Sequence, residues 1–219
     1  MILTDGVTTL DYFDKIPRDI KHAAVSVSGG IDSALSLYCL AASLHEHRQF
    51  RTEIHPYHMH NPAAKKLDTR VSANAVVDYV ASAFPLVKIN PLRVYNGDKE
   101  GSTSKLLVGL RTLIQLCDDV PIDWLINGQN KTDYVTISEH DDTTAAIEQH
   151  LLETHSDVFP WKDIDKHFIA TQYKTLGIEK LLLLTNSCIS DNFVGMPCKQ
   201  CRWCLDRYNA FGNYDYGVV

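Results

Sequence analysis

Short apolar runs alternate with segments of helical periodicity along the first half of the chain. Residues 23–27 have the composition of a buried strand, and residues 34–43 continue as a helix with apolar positions on one face. Further strands are predicted at 53–60, 86–89 and 124–128. Strands that alternate with helices are typical of β-α-β units, so the pattern predicts an α/β fold: a mostly parallel twisted sheet with helices on both faces.

The segments between and after these strands are predicted to be helices, with one long loop among them. The helices fall at 67–83, 105–117, 141–154 and 163–176. Residues 90–104 contain one proline and two glycines and are predicted to form a loop. Loops of this length in a compact domain often carry function.

Length, composition and charge narrow the class of protein. Of the 219 residues, 45% are hydrophobic, which is ordinary for a globular domain. No apolar run approaches the roughly 18 residues of a membrane span, and the first residues lack the pattern of a signal peptide, so we expect a cytoplasmic protein without a membrane partner. The net charge of −6 has the wrong sign for binding nucleic acid. We expect one α/β domain at 1–184, with 185–219 packed on it.

A glycine-rich turn joins the first predicted strand to the first helix. Successive backbone N–H groups and a helix N-terminus make an anion site in such a turn, and glycines let the backbone approach a phosphate. The turn lacks the lysine of the Walker sequence and the third glycine of the dinucleotide fingerprint. The alternative is a well-capped turn that binds nothing. The candidate phosphate ligands are Ser28, Gly29, Gly30, Ile31, Asp32 and Ser33.

Four of the six cysteines lie in the last 32 residues. Thiolates at such short spacing suit tetrahedral Zn²⁺, and four protein ligands leave no position for an activated water. We therefore expect a structural zinc site; an iron–sulfur cluster and free or redox-active thiols are the alternatives. The other cysteines, Cys39 and Cys117, are expected in the core. The candidate metal ligands are Cys188, Cys198, Cys201 and Cys204.

Three histidines, His55, His58 and His60, lie on the strand predicted at 53–60. We expect core or rim positions for them. Open α/β sheets bind ligands at the carboxyl ends of their strands, so contact with adenosine there is one alternative. Metal binding is the other.

The glycine-rich turn resembles that of the PP-loop ATP pyrophosphatases, which cleave ATP between the α- and β-phosphates. Together with the C-x₉-C-x₂-C-x₂-C cluster, it makes the chain similar to the 7-cyano-7-deazaguanine synthase family over nearly its whole length. Residues 128–133, 160–166 and 184–188 resemble segments of that family in register. The resemblance implies an adenine nucleotide alpha-hydrolase-like fold, a structural zinc ion, Mg²⁺, and ATP as co-substrate.

The resemblance also implies a carbon–nitrogen ligase of queuosine biosynthesis. Such an enzyme activates 7-carboxy-7-deazaguanine with ATP, ammonia attacks to give an amide, and a second activation leads to the nitrile. The implied partners are ATP, ammonia and a deazapurine carboxylate, and we expect a homodimer. The implied catalytic residues are Lys166, Asp32 and Arg111, and the implied substrate-binding residues are Gly128, Thr132 and Asp133.

Three other functions stay open as alternatives. The segment after Asp133 differs from that of the resembled family, so the first is an enzyme that stops at the amide or uses another acceptor. The second is a tRNA thiolase of the PP-loop type, although the net charge argues against a basic RNA-binding surface. The third is a nucleotide-binding regulatory module without turnover.

Overall fold

A parallel sheet lies at the centre of the molecule. The computed structural model describes residues 1–60, 69–96, 112, 115–128, 130, 159–188 and 197–214. In these segments the sheet has five strands, and a separate two-stranded hairpin precedes it. The strands are β1 (Leu3–Thr4), β2 (Thr9–Leu10), β3 (His22–Ser26), β4 (Glu53–His60), β5 (Lys88–Ile89), β6 (Arg93–Asn96) and β7 (Trp124–Ile126).

Helices follow the strands, as a β-α-β pattern requires. The first helix, the longest of those described, has buried residues on most of its circumference, which is typical of a helix covered by other elements. The last helix ends at Gly212, whose φ of +72° is the left-handed conformation that commonly terminates a helix. The helices are α1 (Ile31–Glu46), α2 (Arg70–Ala83), α3 (Lys166–Thr175), α4 (Glu179–Leu183) and α5 (Arg202–Phe211).

Every pairing described in the main sheet is parallel. β3 pairs with β4 on one side and with β7 on the other, so it is a central strand. β4 pairs with β5 near its start and with β6 near its end. Because parallel strands end at the same edge, the turns that follow β3 and β7 lie next to each other.

Alternate residues of the strands contribute to two apolar clusters, one on each face of the sheet. Ala23 and Val25 lie in the larger cluster with residues of α1, α2 and α3. Ala24 lies in the smaller cluster with Tyr57 and Leu116, and residues 115–119 are helical. Helical residues therefore cover both faces, and the predicted fold class is confirmed.

The element predictions differ from the structure mainly at 90–104. That segment is predicted to be a loop, which is wrong for Arg93–Asn96, because β6 forms there and pairs with β4. Residues of β6 alternate between half-buried and exposed, and Pro91 and Gly97 flank the strand, so its sequence has few strand signals. The helix predicted at 141–154 lies outside the described residues. Among the helices that are described, none is long and apolar enough to cross a membrane.

Candidate phosphate-binding site and cysteine cluster

The turn between β3 and α1 is closed by two serine hydroxyls. The N–H of Ser28 donates to Ser33 Oγ at 3.1 Å, and the two hydroxyl oxygens lie 3.0 Å apart. Ser33 Oγ also donates to the carbonyl oxygen of Gly30 at 3.1 Å. Gly30 is the N-cap of α1, and no described side chain caps this helix. The first N–H groups of α1 are therefore in the position in which helix termini bind anions.

Two glycines let neighbouring elements approach this turn. Gly29 has a φ of +84°, and a Cβ atom there would lie 2.9 Å from the carbonyl oxygen of Thr69, the residue before α2. A Cβ atom on Gly128 would lie 2.8 Å from the Cα atom of Ser33. Contacts this short require glycine at both positions. The turn is thus packed between the start of α2 and the segment after β7.

The carboxylate of Asp32 meets two side chains from distant parts of the chain. Lys166 Nζ forms an ion pair with Asp32 Oδ2, and each of these side chains is 13% exposed. Asn130 Nδ2 donates to the same carboxylate oxygen at 3.3 Å. Lys166 begins α3, and Asp165 caps that helix by accepting the N–H of Phe168 at 2.9 Å. An ammonium and a carboxylate therefore lie together beside the N-terminus of α1.

Two further hydrogen bonds hold α3 and the turn before it against the start of α1. Tyr173 OH donates to the carbonyl oxygen of Ile31 at 2.8 Å. Trp161, which is fully buried, donates from Nε1 to Ser36 Oγ at 2.7 Å. Ser36 Oγ in turn donates to the carbonyl oxygen of Asp32 at 3.0 Å. These contacts fix the position from which Lys166 reaches Asp32.

His58 contacts the backbone next to the turn between β3 and α1. The side chain is buried, and its Nδ1 lies 2.7 Å from the carbonyl oxygen of Val27, so this nitrogen carries the proton and donates it. Its Nε2 then accepts a hydrogen bond from the hydroxyl of Thr69 at 3.3 Å. His58 therefore links the residue before Ser28 to the start of α2, and both ring nitrogens are engaged in structural contacts.

Asn186 lies between the turn and the cysteine segment. Its backbone N–H donates to the carbonyl oxygen of Gly29 at 2.9 Å. Its side-chain Oδ1 accepts the N–H of Cys188 at 2.9 Å. The residue is 5% exposed. The candidate phosphate site and the candidate metal site are therefore separated by a single residue that contacts both.

The four C-terminal cysteines converge. Their sulfur atoms all lie within 4.8 Å of one another, and those of Cys198 and Cys204 lie 3.9 Å apart. Four thiolates on one tetrahedral metal ion, with bonds of about 2.3 Å, would have sulfurs about 3.8 Å apart. The arrangement therefore fits one metal ion with four sulfur ligands.

The tight turn from Cys198 to Cys201 directs backbone donors at sulfur. Lys199 has a φ of +59°, and the N–H groups of Gln200 and Cys201 lie 3.5 and 3.3 Å from Cys198 Sγ. These donors lower the pKa of Cys198 to about 6, because they stabilise the thiolate. The N–H of Cys198 likewise donates to Cys188 Sγ at 3.3 Å. Sulfurs that accept hydrogen bonds are suited to act as metal-bound thiolates.

The two remaining cysteines lie apart from this cluster. Cys39 is fully buried, and burial raises the pKa of its thiol well above the usual value. Cys117 is half-buried and packs against the smaller apolar cluster. The prediction that Cys39 lies in the core is confirmed, whereas Cys117 lies at the margin of the core.

The three strand histidines do not form one site. Residues 55 and 58 have opposite parity along β4, so they face opposite sides of the sheet. His58 lies beside the turn between β3 and α1, whereas His55 Nε2 lies 3.1 Å from His22 Nδ1 at the other end of the strand. Glu53 lies with these two histidines, and the possible ligand atoms of the three side chains lie within 4.8 Å of one another. Burial and then the charge of His22 lower the pKa of His55.

The structure brings together some of the predicted site residues. The turn residues, Asp32 and Lys166 form one group, and Gly128 lies against its Ser33 end. Arg111, Thr132 and Asp133 lie outside the described residues. Sequence reasoning missed three contributors. Asn130 had a signal, because it lies in the polar segment after a predicted strand, whereas the roles of His58 and Asn186 depend on chain packing.

Comparisons with known proteins point to the fold. No protein family and no curated protein matches the sequence. Among solved structures, the U34-tRNA thiolase NcsA from Methanococcus maripaludis with its [4Fe-4S] cluster superposes with a TM-score of 0.55 and 15% identity. That match covers 76% of this chain and 60% of the thiolase. The chain thus spans about three fifths of the length of this relative.

A second solved structure agrees with the first. The NMN synthetase from Francisella tularensis superposes with a TM-score of 0.51 and 10% identity, covering 87% of this chain and 77% of the synthetase. At such low identities the likeness concerns the fold and does not carry over an activity. Together with the parallel sheet and the turn after its central strand, these similarities show that the chain has the adenine nucleotide alpha-hydrolase fold.

Proposed function

We propose that the protein is an ATP pyrophosphatase of the PP-loop type that adenylates a carboxylate and releases pyrophosphate. The observation that carries the proposal is the ion pair between Asp32 and Lys166 beside the uncapped start of α1. Both side chains are nearly buried beside a helix N-terminus. The Lys166 ammonium would bind a phosphate there, and the Asp32 carboxylate would bind a cation. A turn that only connects a strand to a helix needs neither group.

The residues of the turn would act on the departing pyrophosphate. N–H groups at the start of α1 are rigidly placed, so they would stabilise negative charge that develops on the phosphate oxygens during attack at the α-phosphorus. The Lys166 ammonium would add a point charge on the same side. Asp32 would hold Mg²⁺, which neutralises phosphate charge when it is bound with ATP. On binding, the nucleotide would separate Lys166 from Asp32.

The proposed acceptor is 7-carboxy-7-deazaguanine. A carboxylate is a poor electrophile, and adenylation converts one of its oxygens into part of a good leaving group, AMP. Ammonia then attacks the carbonyl carbon to give the amide, and a second adenylation followed by loss of AMP gives the nitrile. This assignment rests on the resemblance of residues 128–133 and 160–166 to the deazaguanine enzymes. In the proposal, Arg111 contacts phosphate or substrate, and Thr132 and Asp133 contact the base.

The proposed metal in the cysteine cluster is zinc with a structural role. The sulfur spacing supports a single ion, since a [4Fe–4S] cluster binds each thiolate to a different iron and spaces the sulfurs more widely. Four sulfur ligands leave no open coordination position, so no reacting group would bind the ion. Zinc would hold residues 185–219 on the α/β domain.

The test is a direct assay of the zinc-loaded protein. It is incubated with ATP, Mg²⁺, ammonium and 7-carboxy-7-deazaguanine, and mass spectrometry follows AMP and the base. We expect AMP and the nitrile; AMP with the amide alone would support an enzyme that stops at the first product. No AMP and an unchanged base would contradict the proposal and favour a regulatory nucleotide-binding module.

Matched variants test the residues. Asp32→Asn should abolish AMP release, because the carboxylate that holds Mg²⁺ is lost while the side chain keeps its size. Asp78→Asn is the control, since Asp78 lies exposed on α2. Circular dichroism checks that both variants fold. AMP release by Asp32→Asn at the rate of the unmodified protein would contradict the role of the turn.

A tRNA thiolase is the second candidate. It is favoured by the similarity to the thiolase NcsA, whose solved structure holds a [4Fe-4S] cluster, and by the four cysteines, whose thiols would carry sulfur. Such an enzyme would consume ATP only with tRNA and a sulfur donor. Replacing the deazapurine and ammonium by tRNA and sulfide in the same assay distinguishes the two, because AMP then forms only with the thiolase.

A further inference from the structure

We propose that metal binding at the cysteine cluster sets the shape of the phosphate-binding turn, and that Asn186 is the positioning residue that connects the two. The inference rests on the proposed function, because it concerns how the same turn binds ATP. The inference goes further than the proposed function, because it makes the metal a requirement for nucleotide binding. In the proposed function the metal only holds the C-terminal segment in place.

The first link joins Asn186 to the turn. The Asn186 N–H donates to the carbonyl oxygen of Gly29 at 2.9 Å, and Gly29 is held in a left-handed conformation against Thr69. The Gly29 carbonyl and the Gly30 N–H belong to the same peptide unit. A hydrogen bond that fixes the carbonyl therefore also fixes the direction of the Gly30 N–H. The carbonyl oxygen of Asn186 also approaches the turn, lying 3.8 Å from the position of a Cβ atom on Gly30. Asn186 therefore borders the turn at two consecutive glycines.

The second link joins Asn186 to the cluster. Its Oδ1 accepts the N–H of Cys188 at 2.9 Å, which closes a short turn in which a side chain accepts from the backbone two residues later. Cys188 is 1% exposed, and its sulfur accepts the N–H of Cys198. A metal ion bound to Cys188 would fix this short turn and with it the direction of the Asn186 N–H.

The third link fastens the same segment to α5. Arg207 is fully buried and donates to Thr185 Oγ1 at 2.8 Å and to the carbonyl oxygen of Leu182 at 3.1 Å. Cys204 lies on the same helix, and Cys201 is its N-cap. Residues 185–188 are thus held at one end by the Arg207 guanidinium and at the other by the cluster. The Arg207 contacts depend on the position of α5, to which the cysteines contribute together with the packing of Phe211 on Tyr173.

The strength of these contacts indicates what the metal would contribute to the position of α5. Without a metal the four cysteines have no covalent connection to one another, since none of them forms a disulfide. Hydrogen bonds from N–H groups to sulfur are weak, so without the metal α5 would be held mainly by the Arg207 hydrogen bonds and by the packing of Phe211 on Tyr173 of α3. Loss of the metal should release α5, then residues 185–188, and finally the hydrogen bond from Asn186 to Gly29.

Hydrogen exchange with mass spectrometry tests the connection without relying on turnover. The zinc-loaded protein and the chelator-treated protein are compared in peptides that cover residues 27–36, and binding of Mg-ATP is measured by calorimetry. We expect removal of zinc to speed exchange in these peptides and to abolish ATP binding. Faster exchange confined to residues 179–214, with ATP binding unchanged, would overturn the inference.

Variants of Asn186 separate the connection from general destabilisation. In Asn186→Ala the acceptor for the Cys188 N–H is lost, so the zinc-loaded variant should bind Mg-ATP about fivefold more weakly, the factor expected for the loss of one hydrogen bond. Asn186→Ser keeps a shorter acceptor and should recover part of the affinity. Asn74→Ala, on the exposed face of α2, is the control. All three should retain one zinc per chain.

The outcomes separate this inference from the proposed function. If zinc removal speeds exchange at 27–36 but neither form binds Mg-ATP, the connection holds and the proposed function fails. If the loaded protein binds Mg-ATP and Asn186→Ala binds it equally well with unchanged exchange, the proposed function holds and the role of Asn186 is wrong.

Discussion

The candidate phosphate-binding turn and the cysteine cluster reach their geometry in different ways. The turn is held by the chain itself, through the serine hydroxyls, the close approach of Gly29 and Gly128, and the ion pair of Asp32 with Lys166. The cluster has sulfurs that converge, and two of its members, Cys198 and Cys201, are only half-buried. Packing therefore shapes one site, whereas the proposed metal ion would complete the other.

The two sites should therefore be sensitive to different kinds of change. A site formed by packing is destabilised when an atom is added or a buried partner is removed, and the loss of stability depends on the size of that change. A site completed by a metal fails when the ion leaves, and the loss is total within its segment. Variants in the two regions should therefore differ in the size and in the extent of their effects.

The largest effect is expected from Cys201→Ser. Zinc binding by four cysteines contributes about 10–16 kcal/mol, which exceeds the stability of many whole domains, so loss of one ligand should disorder the segment around α5. Limited proteolysis should cut within 197–214 while the α/β domain stays intact. Cys117→Ser, outside the cluster, is the control. Equal protease resistance of both variants would mean that the cluster is not completed by metal.

Gly29→Ala should have the next largest effect. A Cβ atom would meet the Thr69 carbonyl oxygen at 2.9 Å in a backbone conformation that disfavours alanine. We expect a loss of about 2–4 kcal/mol in unfolding free energy from denaturant titration, combining strain and overpacking.

A second glycine separates those two causes. Gly6 has a similar φ of +90° but open space around its Cβ position, so Gly6→Ala should cost only the conformational strain of about 1 kcal/mol. Equal losses in the two variants would show that the turn is not tightly packed against α2.

The ion pair between Asp32 and Lys166 should contribute less to the free energy of unfolding than either the cysteine cluster or the packing at Gly29. Lys166→Gln leaves the Asp32 carboxylate without its ammonium in a nearly buried setting, and we expect a loss of about 2 kcal/mol in unfolding free energy. Lys162→Gln, at an exposed lysine in the turn before α3, should change stability little. A double variant with Asp32→Asn should lose less than the sum of the single losses. Strict additivity would show that the two groups do not interact.

The smallest effect is expected at the helix cap beside Lys166. Asp165→Ala removes the acceptor for the Phe168 N–H, and such caps contribute about 1 kcal/mol. Since α3 carries Lys166 on its first residue, ATP turnover should fall as well. Asp163→Ala is the control, because Asp163 is exposed and precedes the helix. A cap variant as stable as the control would mean that the α3 terminus is held by its tertiary contacts alone.

The sequence predicts local features of this molecule well and distant contacts poorly. The strand at 53–60, the parallel sheet and the turn at 28–33 each have signals within a few residues, and the first two are confirmed. β6 lacks such a signal because Arg93 and Asn96 are polar and the strand depends on β4 for its hydrogen bonds. The contact of His55 with His22 follows from the strand register, which depends on which strands become neighbours.

The same limit applies within the candidate site. Cysteine spacing alone predicts that four sulfurs meet, since three of them lie within seven residues and a tight turn brings them together. Nothing near Asn186 indicates that its N–H meets Gly29, because that contact depends on how α3, α4 and α5 pack. Lys166 stands out only through the resemblance of its segment to a known family.

The contacts around Asp32 also have a consequence for the order of synthesis. Asp32 and Lys166 are 134 residues apart, and Gly29 meets Asn186 still later in the chain. At about 5–20 residues per second, a ribosome needs on the order of 10 seconds to make the residues between Asp32 and Lys166. During that interval the nascent chain contains residues 28–33 but lacks Lys166 and Asn186. The turn can reach its final shape only after translation has passed both residues.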